Sequence, residues 1–61
     1  MKVEYTCFAR ELDARMRGRL LLATLTRLEN SDKDHGYFTF AGWTASFAYE
    51  GDVLTIGIDR P

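Results

Sequence analysis

The chain has 61 residues, of which 46% are apolar and 28% charged, with a formal net charge of −1. That composition excludes wholesale disorder, and a chain this short, which buries only roughly 60% of its unfolded surface, builds a single core in one domain, 1–61. Cys7 is the only cysteine, which excludes an intrachain disulfide and suits a reducing cytoplasmic setting better than a secreted, disulfide-built scaffold. The longest apolar run, residues 20–23, is far short of the roughly 20 needed to span a bilayer, and the N-terminus lacks the charged-then-apolar pattern of a signal peptide. No membrane insertion is expected.

Residues 2–7 alternate polar (Lys2, Glu4, Thr6) with apolar (Val3, Tyr5, Cys7), the period of a half-buried strand. Cys7 reads there as a small buried hydrophobe rather than a reactive thiolate. From Phe8 the period changes to about four, with Phe8, Leu12 and Met16 on one stripe, which predicts an amphipathic helix. Thr6 is its expected cap, and Gly18, preceded by Arg15 and Arg17, its expected end. Residues 19–29 fit two periods. Leu21, Leu25 and Leu28 make a helical face, whereas Leu20, Leu22, Thr24, Thr26 and Leu28 alternate as a strand would. Side-chain propensities favour a second helix there, with an extra strand as the alternative and a break at Gly18 in either case.

Residues 30–36 are polar and end in glycine, a loop signal. After it the chain is β. Residues 37–41 alternate around Phe38 and Phe40, and Gly42 marks a turn or bulge. In 44–59 a two-residue loop at Gly51 and Asp52 sets a register opposing Tyr49 to Leu54, Phe47 to Ile56 and Ala45 to Ile58 on one face. The other face opposes Ala48 to Thr55, Ser46 to Gly57 and Thr44 to Asp59. The first face is aromatic against branched aliphatic, the favoured cross-strand couple. The expected fold class is α+β: an N-terminal strand, one or two helices broken at Gly18, then a three-stranded antiparallel β-meander.

Catalytic chemistry finds little purchase. His35, the only histidine, lies in a polar loop, and Asp32, Asp34, Glu50 and Asp52 fall in turns where burial does not raise a carboxyl pKa. Asn30, Asp32 and Asp34 faintly resemble the start of a calcium loop. His35 stands where that loop needs glycine, however, and Ala41 where it needs a bidentate glutamate. One cysteine and one histidine cannot complete a zinc site, and the scattered single glycines form no phosphate loop. A non-enzymatic protein without cofactor or metal is expected.

Charge is unevenly spread. Residues 1–28 carry six basic groups against three acids, a balance of +3, and residues 29–61 carry two against six, a balance of −4. Arg10, Arg15, Arg17 and Arg19 cluster in the basic half, with no acid between Arg15 and Arg27. Eight aromatics and two methionines exceed what one hairpin face and one helix stripe consume. Trp43, of a residue type that often anchors interfaces, either closes the core or faces a partner. The expectation is a small regulator or inhibitor that covers a surface of another protein through Arg10, Arg15, Arg17, Arg19 and Trp43. One carried by a phage or other mobile element against a host machine is the type suggested by size. The alternatives are a nucleic-acid-binding module using the arginines, with Tyr37 or Trp43 stacking bases, and a homodimer completing its own core through a sheet edge or face.

Overall fold

The computed structural model describes residues 1–59; Arg60 and Pro61 lie outside the described residues. Strand β1 (Lys2–Cys7) leads through a 3₁₀ turn (Phe8–Glu11) into helix α1 (Ala14–Glu29), followed by β2 (His35–Phe40), β3 (Trp43–Glu50) and β4 (Val53–Asp59). The strands form one sheet in the order β1-β4-β3-β2. The fold is a two-layer α+β arrangement.

The hairpin β3–β4 has the expected register at every pair, from Thr44 opposite Asp59 to Tyr49 opposite Leu54. Gly51 alone of its two turn residues has a positive φ, 63°, as a type II′ turn requires of its first central position. Between β2 and β3 both turn residues, Ala41 and Gly42, have positive φ, the type I′ pattern, in which Ala41 is strained because its Cβ crowds the left-handed backbone. The antiparallel meander is therefore present, but it is not the whole sheet. β1 adds to β4 in parallel, Val3 opposite Leu54 and Tyr5 opposite Ile56, and makes the sheet four-stranded and mixed.

The helical expectation needs correction. Residues 8–11 form only a 3₁₀ turn, Leu12 is extended, and α1 starts after Asp13, whose Oδ1 accepts a 2.8 Å hydrogen bond from the Met16 N–H. Asp13 is an N-cap bonded to the N3 amide, and Thr6 caps nothing; its hydroxyl donates to the Ile56 carbonyl at 3.4 Å. The helix then runs unbroken through Gly18 to Glu29, so residues 19–29 are helical. Because Phe8 and Leu12 precede the helix, their stripe does not conflict with the one formed by Leu20, Thr24 and Leu28, and no break at Gly18 is needed. Arg15 and Arg17 consequently sit near the helix start rather than its end. His35 and Gly36, expected in the loop, already belong to β2.

Gly18 is exposed within the helix, and a Cβ there would meet nothing within 4 Å. Gly18→Ala should stabilise the protein by about 1 kcal/mol through backbone entropy and raise Tm by roughly 4–8 °C. Thermal denaturation followed by circular dichroism checks this.

The core lies between α1 and one face of the sheet. Leu20 and Thr24 from the helix and Ala9 from the 3₁₀ turn meet Phe38, Ala45, Phe47, Leu54, Ile56 and Ile58, all buried. The Thr24 hydroxyl is satisfied within the helix, donating to the Leu20 carbonyl at 2.8 Å. Cys7 departs from its expected burial. A positive φ of 54° at the end of β1 turns the chain toward the 3₁₀ turn and leaves the thiol exposed, with Sγ on the Gly57 side of the sheet.

Candidate functional site

At 100° per residue, Arg15, Arg19, Leu22 and Thr26 fall within about 60° of one another on α1, and all four are exposed. Leu22, at 68% exposure, is among the most exposed large apolar side chains. Among the described residues neither Arg15 nor Arg19 enters an ion pair; the pairs present are the N-terminus with Asp52, Lys2 with Glu4, and His35 with Asp34. Arg15 and Arg19 stand four residues apart, where like charges destabilise a helix by a few tenths of a kcal/mol. Arg15 also occupies the first turn, the positive end of the helix dipole. Both placements concentrate positive potential at local expense.

The other arginines go elsewhere. Arg17 lies about 200° around the helix from Arg15, half-buried against β1, with its guanidinium 5.9 Å from the Tyr5 ring centroid and its Nε enclosed without a hydrogen-bond partner. The Tyr5 hydroxyl donates to the Arg17 carbonyl at 3.5 Å. Arg10 is exposed on the separate 3₁₀ turn, and Arg27 lies over the Phe38 ring at 5.3 Å. Trp43 is half-buried on the core side and meets Phe8 edge-on, with ring centroids 5.0 Å apart. Its ring thus helps close the core's end.

Side chains alternate across a strand, so the sheet face away from α1 bears Lys2, Glu4, Thr6, Val53, Thr55, Gly57, Asp59, Thr44, Ser46, Ala48, Glu50, His35, Tyr37 and Thr39, as the registers dictate. Its ionised groups are mostly acidic, and Asp52 adds another in the β3–β4 turn. The two-ended charge of the sequence becomes two-sided in the fold: an arginine-bearing helix on one side, an acid-rich sheet face on the other.

A hollow of about 260 Å³ opens among His35, Tyr37, Ser46, Ala48 and Thr55. His35 Nδ1 lies 3.1 Å from Asp34 Oδ1, and that hydrogen bond is the main cause that holds the Asp34 carboxyl below its ordinary range. Both side chains are about 70% exposed. Among the described residues no hydroxyl is hydrogen-bonded to the ring, so nothing relays a proton from Ser46 or Thr55 to it. No group of three histidine, cysteine or acidic side chains converges there or elsewhere among the described residues. No described helix is long and apolar enough to cross a membrane.

No protein-family model matches this chain. Neither a curated protein nor a solved structure matches it.

Sequence reasoning missed Leu22, because alternation in 19–29 made its side indeterminate; only a continuous helix aligns it with Arg15 and Arg19. Tyr37 was legible as an aromatic on an open face, and it is 78% exposed.

Proposed function

We propose that this chain is a non-enzymatic protein-binding module that regulates or inhibits a partner by laying the outer face of α1 on an acidic surface. The observation that carries this reading is the alignment of Arg15, Arg19 and Leu22, exposed and, among the described residues, without ion pairs, on the side of the fold opposite the sheet face that bears Glu4, Glu50 and Asp59. Arginine is enriched at interfaces because its planar fork makes paired hydrogen bonds to carboxylates. An apolar neighbour adds area that excludes water from those bonds, and the acid-rich sheet face repels an acidic partner and so sets its orientation. Arg17 and Trp43, which pack inside the fold, would support this surface rather than touch the partner.

The test is capture of partner proteins on the immobilised chain, with and without nuclease and across a salt series. Arg15→Glu combined with Arg19→Glu should weaken capture at least about tenfold, since each reversal replaces attraction by repulsion, whereas Lys33→Glu in the loop between α1 and β2, off the helix face, should leave it unchanged. The same face would also attract nucleic acid. Capture abolished by nuclease, with affinity falling steeply with salt, would replace the protein partner by nucleic acid, and capture indifferent to the double reversal would remove the helix face from the reading.

A further inference from the structure

The sheet has two edges, and they differ. The β1 edge carries Lys2 and Glu4, its N-terminus is tied to Asp52, and it ends in the left-handed kink at Cys7. Charges and kinks are the usual devices that keep a strand from pairing with another chain. The β2 edge, His-Gly-Tyr-Phe-Thr-Phe, has no lysine, acid or proline, and its register with β3 runs without a bulge from His35 to Phe40.

The register also fixes which backbone groups this edge presents. Phe40 and Trp43 flank a two-residue turn and form a hydrogen-bonded pair, so alternation points the N–H and C=O of Gly36, Phe38 and Phe40 at β3. The Asp34 carbonyl keeps this phase, accepting from the Tyr49 N–H at 2.6 Å. The three N–H and three C=O groups of His35, Tyr37 and Thr39 therefore face outward, where no strand lies.

We propose that a second copy of this chain pairs there, β2 against β2 in antiparallel sense about a twofold axis normal to the sheet, with Tyr37 opposite Tyr37 of the partner. In that register His35 faces Thr39 at both ends, and all six outward groups of each copy find partners. Shifting the axis to Phe38 leaves only Tyr37 and Thr39 paired, and any odd shift sets outward groups against inward ones. The side chains agree with the symmetric register. Tyr37, exposed in the monomer, stacks on its own copy, an aromatic cross-strand pair. Gly36, which carries no Cβ, lies opposite the bulkier Phe38. No ionised side chain of β2 meets its like at the axis, the ordinary obstacle to self-pairing. The result is an eight-stranded sheet closed by isologous contact, on a surface separate from the outer face of α1. A single strand pair is small for an interface, so the association is weak and concentration-dependent.

Sedimentation equilibrium of the full chain from low micromolar to near-millimolar concentration should show monomer passing to dimer. Tyr37→Lys, which places two cations at the axis, should raise the dissociation constant at least about tenfold. Thr39→Pro, which removes an outward N–H and leaves the β3 ladder intact, should do the same with an unchanged circular dichroism spectrum. In a Cys7→Ser background, Tyr37→Cys should form a disulfide-linked dimer under mild oxidation and Thr39→Cys should not, because residue 39 faces residue 35. A chain that stays monomeric throughout, a dimer untouched by Tyr37→Lys, equal cross-linking at 37 and 39, or an edge that accepts only another protein's strand would each overturn the proposal. Arg15→Glu combined with Arg19→Glu separates the two surfaces: it should leave self-association unchanged while weakening partner capture.

Discussion

Ile56→Ala is expected to remove most of the protein's stability. Ile56 is fully buried in β4, one of the two strands hydrogen-bonded on both sides, where it faces Tyr5 in β1 and Phe47 in β3. Truncation to alanine loses the transfer free energy of the removed carbons and leaves a cavity, together about 3–4 kcal/mol. A domain this small rarely has more than about 3–5 kcal/mol in total, so the variant should populate unfolded chain measurably at room temperature. Where a transition remains, Tm should fall by more than about 12 °C. Urea denaturation of the variant beside Leu22→Ala, which truncates an exposed leucine and should change stability by less than about 0.5 kcal/mol, isolates the effect of burial. A loss at Ile56 no larger than that at Leu22 would contradict its place at the centre of the core.

The contrast between these leucine and isoleucine positions also shows which parts of the fold were legible in the sequence. The β3–β4 hairpin was readable to the residue because everything that specifies it is local: a two-residue turn, a strict alternation and complementary pairs within sixteen positions. β1 was readable as a strand, but its neighbour was not. Val3 meets Leu54 across some fifty residues of chain, and nothing in the alternation of residues 2–7 says whether that strand joins the meander or in which sense. The helix starts later than the apolar spacing implies. Phe8, Leu12 and Met16 happen to recur at a helical interval, yet Asp13 offered a stronger signal, a carboxylate able to bond the amide three residues on. Gly18 does not stop the helix. A helical glycine costs about 1 kcal/mol, which the burial of Leu20 and its neighbours offsets.

The candidate surface depends on the same helix. Four arginines close in sequence looked like one patch, but a continuous helix sends Arg15 and Arg19 outward together and turns Arg17 toward Tyr5. Trp43 could not be placed from sequence because its partner, Phe8, reaches it only through the 3₁₀ turn. Both distinctions depend on contacts between elements, which periodicity does not encode.

Gly51→Val tests the local logic of the hairpin. Gly51 is exposed, and a Cβ built there would meet nothing within 4 Å, so any loss comes from the backbone rather than from crowding by neighbours. At φ 63° a β-branched side chain clashes with its own main chain, a cost of about 2 kcal/mol. Asparagine, which tolerates positive φ far better, should cost clearly less at the same position. The consequence extends beyond the turn, because this single conformation sets Leu54, Ile56 and Ile58 on the core face; a slip by one residue would move all three to the acid-rich side. Urea denaturation should therefore rank wild type above Gly51→Asn and Gly51→Val lowest. Equal losses for asparagine and valine would mean that the turn does not rely on the left-handed conformation, and that the register of β4 is held by its side-chain pairs with β1 and β3 alone.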